Sequence, residues 1–373
     1  MTDKLGIGIL GCGNISAAYM RLAPLFQGIE VRACADLNAD AAKARAEEFN
    51  LRAETVDGLL SAGDIDIIVN LTVPAAHYEV SGDILKAGKH VYSEKPFVLS
   101  VEEGQTLQKL AAEKGLRVGS APDTFLGGAH QLARHLVDSG AVGLVTSGTC
   151  FVQSPGMEMW HPNPDFFFQP GGGPILDLGP YYVSNLVQLL GPVKRVTAMS
   201  SSGSEYRTIT SEPRHGEKIK VETPTTIHAI MQFHSGAQVT YCASWDVWQH
   251  GHSNMELYGR DGTLHVPDPN FFGGEIRMTA KNSFVTVSED WMHPFSVAND
   301  GSHANYRAAG LADMALAILQ NRPHRCSLEF SLHVVDVMTS ILASGETGEY
   351  KDILTTCDRP EALGPKAAQD LLA

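Results

Sequence analysis

The chain has 373 residues, of which 43% are hydrophobic, enough apolar material for the cores of two domains. Its formal charge of −14 argues against nucleic acid or an anionic membrane surface as a partner, and no apolar run approaches the roughly 18 residues that span a bilayer. Six cysteines are scattered with no CxxC pair, and the histidines show no metal-ligand spacing such as HExxH, so buried, reduced thiols and no metal site are expected. No charged-then-apolar signal precedes the first strand, and a cytoplasmic protein is expected.

Leu5–Leu10 is short and apolar enough for a buried strand, and Ile15–Leu22 suits a helix packed on a sheet. Between them stand Gly11 and Gly13, which let the backbone turn tightly and approach a pyrophosphate at a helix N-terminus; Ser16 replaces the third glycine of this pattern. A second strand, Glu30–Ala35, ends in Asp36, placed to accept hydrogen bonds from an adenosine ribose. That carboxylate would repel a 2′-phosphate, and Leu37, Asn38 and Ala39 offer no compensating cation, so NAD is expected in preference to NADP. Asn38 caps a helix from Ala39 to Phe49. Ile65–Leu71 is a third strand, followed by Thr72-Val-Pro74 and a helix closed by Gly88. His90–Ser93 is the next strand; Ser100 and Glu103 form a capping box for a helix ending at Gly115, and Leu116–Ser120 is one more strand. Strands separated by helices of this length predict a doubly wound parallel sheet, the α/β Rossmann arrangement.

The pattern changes near Pro122. A helix around Ala129–Val137 and a strand around Leu144–Val152 lead into a loop rich in proline and aromatics, Ser154–Pro174. Beyond the next helix, Thr226–Phe233 and Ala237–Trp245 alternate apolar and polar residues across a tight turn, and short strands follow at Met255–Tyr258 and Thr263–Val266. These predict an α+β domain with a large, open, mainly antiparallel sheet, finished by helices near Asn305–Leu319 and Phe330–Ala343. The expected division is residues 1–122 and 123–373.

Two segments carry candidate chemistry. Glu94-Lys95-Pro96 follows the fourth strand at the end where open α/β sheets place their ligands. Gly171–Gly173 and Pro174 precede a helix on which Asp177 and Tyr181 stand four residues apart on one face, with Asn185 a turn beyond. Either residue alone also fits a plain role, Asp177 as a cap and Tyr181 as a buried aromatic.

The order of Gly11–Ser16, Asp36, Thr72-Val-Pro74…His77, Ala87-Gly-Lys-His-Val91, Glu94-Lys95-Pro96 and the Asp177…Tyr181 helix resembles the Gfo/Idh/MocA oxidoreductases, over essentially the whole chain. The resemblance implies a Rossmann domain, a C-terminal open sheet used for substrate binding and oligomerisation as a homodimer or homotetramer, and nicotinamide-dependent oxidation or reduction of sugars and polyols. It makes Lys95 a catalytic residue beside the nicotinamide and Asp177 a substrate-binding one. The expected cofactor set is Gly11, Gly13, Asn14, Ile15, Asp36, Thr72, Pro74, His77, Glu94 and Lys95, with His77 more a brace for the Glu94–Pro96 loop than a chemical group.

Many members carry histidine where this chain has Tyr181, and tyrosine is intrinsically the weaker proton acceptor at neutral pH. An ammonium and the positive nicotinamide ring have the right sign to assist it. Tyr181 is therefore expected as the proton acceptor with Lys95 assisting, Lys95 itself being the alternative base. Trp160, His161 and Asn163 are candidate sugar contacts in the irregular loop, with Asp123 and His303 as further ones; Arg307 is weaker because it suits a carboxylate partner equally. Trp245, Val247 and Trp248 are expected to favour burial against another subunit. The expected activity is an NAD-dependent sugar or polyol dehydrogenase, with aldose-to-lactone oxidation of pentose-type sugars such as D-xylose or D-apiose preferred. Ring-carbon oxidation, NAD-dependent glycoside cleavage and a non-catalytic nucleotide–sugar sensor are the alternatives.

Overall fold

The computed structural model describes residues 4–373, which form two compact units. The chain opens with β1 (Leu5–Leu10), α1 (Asn14–Leu22), β2 (Ile29–Ala35), α2 (Ala39–Phe49), β3 (Arg52–Glu54), α3 (Val56–Ser61), β4 (Ile67–Asn70), α4 (His77–Lys86), β5 (His90–Ser93), α5 (Val101–Lys114) and β6 (Val118–Ser120). The six strands pair in parallel in the order β3-β2-β1-β4-β5-β6, the doubly wound order of a dinucleotide-binding sheet. The central strands carry Ile7, Ile9, Ile67, Ile68 and Val69, all wholly buried, as expected where helices cover both faces. The Asn38 side chain accepts from the Asp40 and Ala41 amides to cap α2. Ser100 Oγ accepts from the Glu103 amide and Glu103 returns the bond to the Leu99 amide, one residue earlier than a strict capping box.

Next come α6 (Gly128–Asp138), β7 (Val145–Gln153), α7 (Gly173–Leu190), β8 (Val193–Ser201), β9 (Tyr206–Thr208), β10 (Lys218–Lys220), β11 (Thr226–Phe233), β12 (Gln238–Ser244), β13 (Met255–Gly259), β14 (Gly262–Val266), β15 (Ile276–Ala280) and β16 (Thr286–Glu289). The chain ends with α8 (Ala309–Leu319), α9 (Leu328–Thr347), β17 (Lys351–Asp352) and α10 (Pro365–Gln369). The large sheet has the order β16-β15-β14-β13-β7-β12-β11-β8-β17. Within it the β7–β12 pair is parallel and the other pairs are antiparallel, and α7 lies across β7, β11 and β12. β9 and β10 form a separate antiparallel hairpin.

The compact units do not follow the single boundary expected after residue 122. One holds the described residues up to Gly128 together with Met292–Leu332 and Pro360–Ala373; the other holds Ala129–Trp291 and His333–Arg359. The returning segments attach to the first unit by hydrogen bonding. The Ser120 amide donates to the Cys326 carbonyl at 3.1 Å, extending the β6 edge, and the Gln27 amide donates to Leu371 at 2.8 Å. Trp245 departs from expectation as well. It is wholly buried in a core cluster with Met157, Phe167, Phe168, Ile209 and Ile219, whereas Trp248 is 81% exposed.

Candidate active site

In the first unit, the glycine turn lies at the end of β1. Gly11 has φ +102°, and a Cβ there would sit 2.7 Å from the Leu71 carbonyl group, so only glycine fits. Gly13, exposed and open on its Cβ side, caps α1; the helix has no side-chain cap and no acidic residue in its first turn. The open Gly13 and the uncapped helix start at Asn14 and Ile15 are a fit for the pyrophosphate of a dinucleotide. Ser16 donates to the Gly13 carbonyl at 2.6 Å, so the residue replacing the third glycine is folded into the turn. The Asp36 carboxylate accepts from the Cys12 amide at 2.7 Å and the Asn38 amide at 2.8 Å, fixing the turn against the end of β2.

Thr72 and Pro74 follow β4, and His77 lies behind them, its Nδ1 2.7 Å from the Pro96 carbonyl and its Nε2 3.0 Å from that of Thr72. Burial lowers the ring's pKa while the two carbonyl contacts oppose that shift, and the ring stands between the Thr72 and Pro96 loops, where the sequence places a brace. Glu94 is buried and turned inward. It accepts from the Tyr19 hydroxyl at 2.9 Å, from Arg307 Nη1 at 2.8 Å and from the Lys95 amide at 3.0 Å. Burial alone would raise its pKa, but Arg307, Lys95, the backbone amide and Tyr19 together hold the carboxyl below the usual range. Its carboxylate therefore holds the Lys95 loop. Lys95 is half-buried and joined to Pro96 by a cis peptide.

Asp123 was expected to reach substrate, but it is 2% exposed and accepts from the Ala308 and Gly310 amides, both at 3.1 Å, at the start of α8. Burial pushes its pKa up to about 6 despite the Arg307 charge and the Gly310 amide. His303 is exposed, in a short bridge with Asp300.

In the second unit, Asp177 is half-buried and Tyr181 buried, four residues apart on α7. Pro180 within the helix removes the N–H that would bond the Leu176 carbonyl. Asn185, one turn on, belongs to the core instead, wholly buried and bonded to His130 and Gln188. Trp160 is 64% exposed and its ring contacts His161, which is held edge-on by Phe166 and Phe167. Asn163 is exposed, and its amide donates to His161 Nδ1 at 3.1 Å. The sequence reading missed Tyr19 as a Glu94 partner and Arg207, which bonds Glu158 and Asp246. The partners stand 39 or more positions apart in the chain, so no local pattern marks them.

Comparison with known proteins decides the family. Residues 5–121 match the model of an oxidoreductase family with an NAD-binding Rossmann fold, and residues 130–265 match the GFO/IDH/MocA C-terminal domain. The chain belongs to the Gfo/Idh/MocA family. A dTDP-3,4-didehydro-2,6-dideoxy-alpha-D-glucose 3-reductase of Streptomyces violaceoruber is 30% identical over 70% of this chain and 72% of its own. An NAD binding oxidoreductase from Klebsiella pneumoniae matches with TM-score 0.80 at 21% identity, covering 94% of this chain and 99% of that one. A levoglucosan dehydrogenase in complex with NADH and L-sorbose matches with TM-score 0.80 at 20% identity, covering 95% and 100%.

This Gfo/Idh/MocA protein is an NAD-binding oxidoreductase of CH–OH groups. Among the described residues, no three His, Cys, Asp or Glu gather as a metal site, and no helix is long and apolar enough to cross a membrane. All six cysteines are buried and none is in a disulfide.

Proposed function

We propose that the protein is an NAD-dependent dehydrogenase that oxidises a secondary or anomeric hydroxyl of a sugar or polyol. The observation that carries the reading is the inward-turned Glu94, which fixes the Lys95 loop at the ligand end of an NAD-binding sheet. Bound NAD supplies the hydride acceptor. In the roles we assign, Tyr181 takes the hydroxyl proton, Lys95 orients that hydroxyl and stabilises the developing negative charge, and Asp177 accepts from a neighbouring hydroxyl. Trp160 offers an exposed face for stacking on a sugar ring, flanked by the polar edges of His161 and Asn163.

Two finer readings compete. Aldose-to-lactone oxidation of a pentose-type sugar needs a free anomeric hydroxyl; oxidation at a ring carbon does not. The second is favoured by the 30%-identical relative, whose name is that of a 3-reductase. NADH formation across a panel of free aldoses, their methyl glycosides and cyclic polyols tests both. Oxidation of aldoses alone supports the lactone reading, and oxidation of methyl glycosides supports the ring-carbon reading. Release of an aglycone with no NADH would point to glycoside cleavage, and a panel with no turnover would point to a sugar sensor.

We further propose that the chain works in the cytoplasm, in keeping with six buried cysteines that form no disulfide, and as a homo-oligomer. Met199 and Ile230 are exposed on neighbouring strands β8 and β11, where the register brings their faces together. A sedimentation mass of one chain would contradict the oligomer.

A further inference from the structure

The second unit carries a polar hub that the proposed chemistry does not use. Arg207, on β9, donates through Nη2 to the Trp245 carbonyl at 2.7 Å and to the Asp246 carboxylate at 2.6 Å. Through Nη1 it reaches Glu158 at 3.1 Å and the Pro155 carbonyl at 3.4 Å. Its guanidinium lies 5.6 Å from the centre of the Phe168 ring. One side chain thus joins the loop after β7, the turn after β12 and the β9–β10 hairpin. Asp246 is held in turn by the Thr225 and Thr226 hydroxyls, both at 2.6 Å. Glu158 is 5% exposed and folds back beneath Gly156, where a Cβ would collide with its carboxylate.

The hairpin grips the same loop at further points. The Thr210 and Ser211 amides donate to the Glu158 carbonyl at 3.0 and 3.2 Å, and Ser211 Oγ donates to the His161 carbonyl at 2.6 Å. The Glu222 amide donates to the Phe168 carbonyl at 2.8 Å, and Arg214 pairs with Asp165. Beneath these bonds Ile209 and Ile219 of the hairpin pack with Met157, Phe167, Phe168 and Trp245, and Leu178, the neighbour of Asp177, packs against that cluster. The exposed Trp160 and half-buried His161 therefore project from a loop whose own sequence, Met-Glu-Met-Trp-His-Pro-Asn, has little to order it.

We propose that Arg207 is a positioning residue for carbohydrate recognition: from the β9–β10 hairpin it clamps residues 155–163 and so sets where Trp160 and His161 meet a sugar. The inference rests on the dehydrogenase reading above. A planar guanidinium can span these four acceptors, whereas a lysine ammonium offers a single point of charge, so the two side chains are not equivalent here.

The test compares the full-length enzyme with Arg207→Met and Arg207→Lys. Initial rates are measured across the sugar panel, NADH binding by fluorescence, and amide hydrogen exchange along the chain. Arg207→Met is expected to raise the sugar KM at least about tenfold and to flatten the preference among sugars, while kcat falls less than about threefold. NADH affinity holds, peptides over 155–163 exchange faster than those of β1 and α1, and Arg207→Lys recovers part of the KM. A sugar KM unchanged in both variants, or kcat, KM and NADH affinity falling together with stability, would overturn the clamp. If Arg207→Met does not fold, the KM of Arg207→Lys decides alone. If no sugar reduces NAD with the parent enzyme, the dehydrogenase reading fails separately; the exchange data then stand by themselves, faster exchange over 155–163 supporting the clamp and unchanged exchange rejecting it.

Discussion

The Glu94 carboxylate accepts from a phenol, a guanidinium and the Lys95 amide, so the backbone that carries Lys95 is held by a buried charge with three donors. The phenol is itself constrained: burial, then the Glu94 charge, raises the Tyr19 pKa, so it stays protonated and remains a donor. Asp123 shows the opposite balance. An unfolded aspartate titrates near about 3.9, whereas burial raises the native group to about 6. Between these values the unfolded chain has released a proton that the native state keeps, so this residue's contribution to stability falls as pH rises from about 4 to about 6 and levels above it. Asp123→Asn retains an oxygen for the Ala308 and Gly310 amides but cannot titrate. Thermal unfolding at about pH 4 and about pH 7 should show the parent chain losing Tm relative to that variant as pH rises, and parallel curves would contradict the assignment. The proposed role of Tyr181 is tested by Tyr181→Phe, which removes only the hydroxyl. Turnover should drop at least about a hundredfold with NAD affinity retained, and near-normal turnover would return the base role to Lys95.

Helix α7 divides its polar residues between the proposed chemistry and the core. Asn185 donates to His130 Nδ1 at 3.2 Å and accepts from Gln188 at 2.9 Å. Burial lowers the His130 pKa to about 4, and its Nε2 lies 2.8 Å from the Phe271 carbonyl, so a neutral ring with the proton on Nε2 satisfies both neighbours. Asn185→Ala would strand buried polar groups on both sides and should cost about 1–3 kcal/mol by denaturant titration. The folded fraction should keep its kcat, and a kcat loss resembling that of Tyr181→Phe would place Asn185 in the reaction instead. Elements whose signal is local were legible in the chain: the Gly11 turn, the Asn38 cap, the Ser100–Glu103 pair and the alternating β11–β12 hairpin all stand where their residues predict. β3 was not, because Arg52–Glu54 is a polar, largely exposed edge strand whose order comes from pairing with Ala33–Ala35. β9 and β10 are three residues each and depend on Ile209, Ile219 and Arg207 finding the loop after β7. Trp245 was misplaced for the same reason, since apolar residues that fill a distant pocket look like surface until that pocket is known.

At the scale of the chain, the fold class followed from the succession of patterns, but the membership of the two compact units did not. The last strand of the parallel sheet finds its edge partner in residues 326–327, more than 200 positions away. The Glu94–Arg307 pair spans 213 positions. Spatial neighbours at such separations leave no periodicity, so the Lys95 motif was visible while the residue that neutralises its glutamate was recognised only as having some carboxylate partner. The whole account rests on hydride leaving a carbohydrate carbon for NAD. The direct measurement is mass spectrometry of the reduced cofactor formed from perdeuterated sugars of the panel. The account predicts NADH carrying deuterium, formed more slowly than the protiated product from the unlabelled sugar; NADH free of deuterium, or no reduced cofactor from any sugar, would contradict it.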